Sequence, residues 1–134
     1  MAELDYAYLA DYARIQEGTI TAVGASFTHM FTSRFPTQAD VALAGRVRVV
    51  AGEEDPELEI VVASVKNDVT MTVTGVIAPG PQTFVYDGKQ GILFTLNIVV
   101  PMSEPDLVTV DVMLNGEKVR RLAFEMLLPA DADV

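Results

Sequence analysis

The chain carries one histidine, His29, and no cysteine. Any imidazole chemistry must therefore run through His29. A Ser-His-Asp arrangement would have to recruit it, and the Gly-x-Ser-x-Gly turn that presents such a serine is absent. A structural zinc site normally takes four Cys or His ligands, which one chain of this composition cannot supply without carboxylates. Thiolate and disulfide chemistry are excluded outright. No Gly-rich phosphate loop occurs. Carboxylates are plentiful, and a pair of them can do acid–base work. Here they fall in turns or on strand faces, where water leaves such groups ordinary. The acidic turn Gly52-Glu-Glu-Asp-Pro-Glu57 lacks the Asp-x-Asp-x-Asp-Gly spacing of an EF-hand, and Pro56 restricts it. The expectation is a protein that is not an enzyme and needs neither cofactor nor metal.

Binding chemistry is better represented. Thr28 to Pro36 is rich in large apolar groups, shows no clean period and ends at proline. It reads as a loop, and His29, Met30, Phe31, Arg34 and Phe35 are its candidate partner-binding residues. The same side chains could instead fold back over one end of the core. Tyr6, Tyr8, Tyr12 and Tyr86 could form aromatic platforms for a small ligand such as a carbohydrate, although the chain has no tryptophan. The competing account for the N-terminal tyrosines is half-burial, with each hydroxyl at a polar edge. Arg46 and Arg48 share a face and could grip an anion or simply form charged rungs on a wet sheet. Thr70, Thr72 and Thr74 form a hydroxyl ladder that β propensity alone explains.

The elements that must hold these groups are strands. Ile92, Phe94, Leu96, Ile98 and Val100 alternate with Thr95 and Asn97. Val108, Val110, Val112 and Leu114 alternate with Thr109 and Asp111. Leu122, Phe124, Met126 and Leu128 alternate with Arg121, Ala123 and Glu125. A period of two marks strands with one buried and one wet face. The turn at Asn115-Gly116 raises a parity problem, because a plain two-residue loop would turn Leu122 and Phe124 to water. A three-residue loop pairing Leu114 with Lys118, or a bulge near Arg120, restores them. Either repair sets Val110 against Leu122, Val108 against Phe124, and Asp111 against Arg121 as a solvated ion pair.

Earlier in the chain, Leu4 to Ile15 fits a strand, with Leu4, Tyr6, Tyr8, Ala10 and Tyr12 on one face. A helix is the competing reading. Gln16-Glu17-Gly18 is a turn. Thr19 to Phe27 is a strand interrupted by Gly24, a mark of a bulge or a close backbone approach. Val41 to Val50 puts Val41, Leu43, Gly45, Val47 and Val49 on one face. Leu58 to Lys66 and Val69 to Ile77 form a hairpin across Asn67-Asp68, pairing Ser64 with Met71 and Val62 with Val73. Ala78 to Pro81 is a loop, and Asp87-Gly88 marks another hairpin turn. The tail, 130–134, is short, acidic and expected to be loose. Together these runs predict about eight strands in an all-β, antiparallel, immunoglobulin-like sandwich spanning one domain, 1–134.

The totals bound the partners. A formal charge of −10, from 19 acidic and 9 basic residues, leaves no cationic surface for nucleic acid or anionic membrane. No apolar run approaches the roughly 20 residues of a membrane helix. The first residues, Met-Ala-Glu-Leu-Asp, lack the basic and apolar regions of a signal peptide. A cytoplasmic or virion-associated protein is expected, working on protein partners or on copies of itself.

Two blocks carry a resemblance. Leu4, Asp5, Tyr6, Ala7, Leu9, Ala10 and Asp11, followed by Gly18 and Gly24, resemble the opening of an uncharacterised family of small bacterial and bacteriophage β-domains. The closing block, VDVMLNGEKVRRLAFEM, is similar to that family's final hairpin. The resemblance implies a sandwich domain without known enzymatic activity, and no active residue carries over. The combined expectation is a non-enzymatic interaction module, an accessory or decorating part of a bacterial or phage assembly. A carbohydrate-binding module is the alternative.

Overall fold

The structure is a computed structural model, and it describes residues 2–80 and 83–129. Every assigned element is a strand: β1 (Glu3–Ala10), β2 (Tyr12–Gln16), β3 (Thr19–Val23), β4 (His29–Phe31), β5 (Thr37–Val50), β6 (Glu57–Ser64), β7 (Val69–Val76), β8 (Val85–Tyr86), β9 (Lys89–Met102), β10 (Asp106–Leu114) and β11 (Glu117–Leu127). One sheet has the order β1-β5-β9-β8 and the other β4-β11-β10-β6-β7. All pairs are antiparallel except β4 with β11, which is parallel. The two inner faces share one apolar core, with Leu43, Val47, Val110 and Phe124 at its centre. The all-β antiparallel sandwich is as expected, but the described residues form eleven strands rather than about eight. The short strand β4 is additional, β8 precedes the expected hairpin turn at Asp87-Gly88, and the run from Leu4 to Ile15 splits at Asp11. The expected loose tail, 130–134, and the last residue of the Ala78 to Pro81 loop lie outside the described residues.

The split has a physical cause. Ser26 donates its N–H to the Leu9 carbonyl (2.7 Å), and Asp11 donates to the Val23 carbonyl (3.0 Å). These bonds pull β2 out of the first sheet and pair it with β3 as a separate hairpin. The hairpin lies against the outer face of β5 and β9. It explains why Ala10, Ala42 and Ala44 are buried on the side facing away from the core. Gly24, at φ +65°, closes this corner: a Cβ there would sit 2.3 Å from the Asp11 carboxylate. The close approach read from Gly24 is thus real, and Asp11 is what approaches.

Two registers differ from expectation, and at the last hairpin the bulge near Arg120 is the expected alternative that is realised. A bulge at Asp5 sets Leu4 beside Val47 but Tyr6 beside Arg46. Leu4 therefore packs on the core, while Tyr6 and Tyr8 stand on the outer face. The single stripe of Leu4 with the tyrosines does not exist. At Asn115-Gly116 both residues have positive φ (51° and 83°), so the turn is a two-residue one and Leu114 pairs with Glu117, not Lys118. The parity is corrected further along, where Val119 is the extra residue beside Arg120. From there Val110 faces Leu122 and Asp111 faces Arg121, as expected. The β6–β7 turn spans residues 65–68 rather than two residues, so Ser64 pairs with Val69 and Val62 with Met71. A shift of two keeps every side chain on its face. The threonine ladder does point outward.

Candidate interaction surfaces

The segment read as a loop at Thr28 to Pro36 contains a strand. β4 lies along the edge of the second sheet, with Glu125 N–H donating to the Thr28 carbonyl (2.9 Å) and Thr32 N–H to the Leu127 carbonyl (3.0 Å). Three residues are too few for alternation to be read from sequence, which is why the strand was missed. Its pleat divides the candidate residues. Met30 and Phe35 pack against the core together with Phe27, whose ring meets Phe124 edge-on at 5.4 Å. His29 and Phe31 point outward and stack at 6.4 Å, with Thr28 Oγ1 2.7 Å from His29 Nδ1. Arg34 is exposed beyond the strand end. Met30 and Phe35 thus fold back over the core, while His29, Phe31 and Arg34 are left exposed.

Sequence reading did not foresee that Phe31 has apolar neighbours. Phe31 is 54% exposed and lies beside Leu127. His29 lies beside Glu125, which in turn faces Leu107, 42% exposed. The available signal was Leu107 itself, a large apolar residue sharing the wet face of Thr109 and Asp111. The same face also carries Val61, Met113 and Ala123, set among polar groups. Arg121 grips Asp111 with two bonds (Nε to Oδ1 2.7 Å, Nη2 to Oδ2 3.0 Å), and Lys118 adds a third contact at 3.2 Å. The Arg121 hydrogen bond leads the effects that hold the Asp111 carboxyl below its ordinary value.

A second arrangement covers the outer face of the first sheet. Tyr6 and Tyr8 stack at 6.2 Å. The Arg46 guanidinium lies 5.0 Å from the Tyr6 ring and 5.7 Å from Tyr86, and Arg48 lies 5.5 Å from Tyr86. Each cation also has a carboxylate. Arg46 donates to Asp5 (Nε to Oδ2 2.7 Å), and that bond raises its pKa. Arg48 reaches Asp87 (3.3 Å) and Glu3 (3.6 Å), and Lys89 reaches Glu3 (2.7 Å). The arginines are thus charged rungs with partners in place, and an incoming anion would have to displace Asp5. The tyrosines pack on this ladder, not in the core.

Between this ladder and the β2–β3 hairpin lies an open cleft of about 900 Å³. Arg46, Gly91 and Leu93 floor it; Tyr86, Phe84, Ile15 and Glu17 stand around it. Gly91 lets Arg46 and Tyr86 close in on the backbone: a Cβ would meet Arg46 Cδ at 3.0 Å and Tyr86 Cε1 at 3.4 Å. Phe84 is 84% exposed. Of the four tyrosines considered for ligand binding, Tyr86 alone lines the cleft.

Among the described residues, Thr28 Oγ1 is the hydrogen-bond contact of the His29 ring. Among the described residues, no three of His, Cys, Asp and Glu converge as a metal would require. No described helix is long and apolar enough to cross a membrane. No curated protein matches the sequence. A family model matches residues 5–126, which include most of the N-terminal block and nearly all of the final hairpin. The chain therefore belongs to the family described as "Family of unknown function (DUF6941)".

Proposed function

We propose that the domain works without catalysis, as a protein-interaction module of a larger bacterial or phage assembly, and that β4 carries its docking face. The observation behind this reading is the exposed Phe31 ring, stacked on His29 and continued by Leu127 and Leu107 along the outer face of the second sheet. Aromatic side chains half out of water are the usual anchors of an interface. The surrounding acidity favours a neutral or basic partner. The likeness of the N-terminal block to bacterial and phage β-domains supports the assembly setting, in cytoplasm or virion.

Phe31→Ser is the test. The variant should lose the partner captured from the native source while its melting temperature stays within a few degrees, because about half of the ring is already in water. Capture at wild-type strength would end the reading. A large fall in melting temperature would show that Phe31 supports the core instead.

The cleft favours a second reading, a small-ligand module. Phe84 and Tyr86 give it an aromatic wall, and its volume falls within the range of ligand sites. Titration with simple oligosaccharides should then change tyrosine fluorescence in the wild type, and Phe84→Ala should weaken binding about tenfold. Identical titrations for both proteins would remove Phe84 from any such site.

A further inference from the structure

The four outer edges of the sandwich are not equally defended. β1 carries Glu3 and Asp5 and is kinked by the Asp5 bulge. β4 is three residues long. Charge, bulges and shortness are the means by which sheet edges avoid pairing with other chains. The opposite side has none of them. β7 runs from Val69 to Val76 without a charged residue, and β9 from Gly91 to Val100 likewise. β8 covers only Lys89 and Gln90. Between the two edges lies an apolar slot of about 180 Å³, lined by Leu58, Val73, Ile77, Phe94 and Leu96.

The open edge of β9 has a defined phase. Asp87 and Gly88 both have positive φ, 49° and 74°. In that two-residue turn the flanking Tyr86 and Lys89 form a hydrogen-bonded pair. Counting by twos, Leu93, Thr95, Asn97 and Val99 direct N–H and C=O outward, and the residues between them bond β5. Pro101 agrees: it lies within β9 at the same parity, where its missing N–H takes no bond from β5. Among the described residues, no backbone hydrogen bond occupies the outward side of Leu93 to Val99.

We infer that this edge pairs antiparallel with β9 of a second copy of the chain, joining the two first sheets into one. A two-fold axis through Leu96, normal to the sheet, sets Thr95 opposite Asn97 of the second copy and Leu93 opposite its Val99. Polar then meets polar and apolar meets apolar. An axis at Thr95 would set Leu93 against Asn97, and one at Asn97 would set Thr95 against Val99. Charge also selects this contact. Each copy carries −10, so most faces repel their own kind, while the Gly91 to Val100 edge brings no charge of its own. The pairing is independent of the docking face at β4, which lies at the far edge of its sheet from β7.

Light scattering on the full chain across a concentration series tests it. The wild type should dimerise, and Asn97→Lys and Val99→Pro should each raise the dissociation constant about tenfold or more. Phe31→Ser should leave it unchanged. Because the chain has no cysteine, register can be read by crosslinking. Leu96→Cys should oxidise to a covalent dimer alone, whereas Val99→Cys should do so only when mixed with Leu93→Cys. A wild type that stays monomeric up to about 1 mM, the weak limit of specific association, overturns the inference. So does a Val99→Cys protein that crosslinks to itself as readily as Leu96→Cys.

Discussion

Gly45→Val is expected to lower the melting temperature by roughly 10 °C, the equivalent of about 3 kcal/mol for a domain of this size. Gly45 is buried on the inner face of β5, paired with Ala7 on one side and Phe94 on the other. A Cβ built there would sit 2.5 Å from Phe94 Cζ and 2.5 Å from the Tyr6 carbonyl oxygen. The phenyl ring can rotate; the carbonyl cannot. It belongs to β1 just past the Asp5 bulge, so the added carbon must push β1 away from β5. That movement would also strain the Arg46–Asp5 bond and the Tyr6–Tyr8 stack on the other face. Gly75→Val is the matching control. Gly75 also lies in a strand, on β7, yet a Cβ there meets nothing within 4 Å. With β propensity added and no clash, this variant should melt within a few degrees of wild type. Equal melting temperatures for the two variants would show that Phe94 and β1 yield easily and that Gly45 is not a packing requirement.

What the sequence conveyed and what it hid follow from the same rule. Alternation placed Val41 to Val49, Ile92 to Val100 and Val108 to Leu114 on their correct faces, because a period of two survives any turn that keeps parity. It also forced a bulge into the last hairpin, and the structure puts the extra residue at Val119. Alternation fails where a bulge is set by tertiary contacts. Nothing local in Leu4 to Tyr8 announces the Asp5 bulge, which depends on Arg46 forty-one positions away. The candidate side chains of the Thr28 to Pro36 segment are half legible for the same reason. Composition drew attention to His29 to Phe35, but the sorting of Phe31 outward and Met30 inward needs the parallel register with β11, a long-range pairing. Leu107 and Phe84 stand alone as apolar residues in their local sequence, and only long-range pairing and the cleft give them neighbours.

The β6–β7 turn is wider than the Asn67-Asp68 pair alone predicts, because the Asn67 side chain bonds away from its own turn. Asn67 Nδ2 donates to Ser64 Oγ (2.9 Å) and the Glu104 carbonyl (3.2 Å), while Oδ1 accepts from the N–H groups of Ser103 (2.7 Å) and Glu104 (3.1 Å). The amide thus clasps the β6–β7 turn to the β9–β10 loop. Such a clasp holds residues 65–68 open as a wider turn, with Asp68 at φ +53°.

Asp106 completes that clasp, and Asp106→Ala is expected to cost about 2–3 kcal/mol, the range for losing charge-assisted bonds to partly buried donors. Its carboxylate accepts from Ser64 Oγ (2.7 Å) and Lys66 N–H (2.9 Å), and Ser64 is fully buried. With Asp106 gone, that hydroxyl keeps only its contact with Asn67. Burial pushes the Asp106 carboxyl up, but bonds from Ser64 and the Lys66 and Leu107 backbone together outweigh it, so its pKa lies below the ordinary aspartate value. Asp111 is shifted the same way by Arg121 and Lys118. A carboxyl whose folded pKa is depressed adds stability that is fully present above the unfolded value, 3.8 here, and is lost as pH falls through the folded one. Urea midpoints for the wild type should therefore be level from pH 7 to about 5 and fall below about 4. Asp106→Ala should start lower and fall less steeply, because one of the protonating groups is missing. Asp106→Asn separates the two effects: it keeps one acceptor oxygen, so it should recover part of the neutral-pH stability while retaining the shallow acid slope. An acid slope in Asp106→Ala as steep as the wild type's would mean that Asp106 is not held as a carboxylate by Ser64 and Lys66. The clasp would then rest on Asn67 alone.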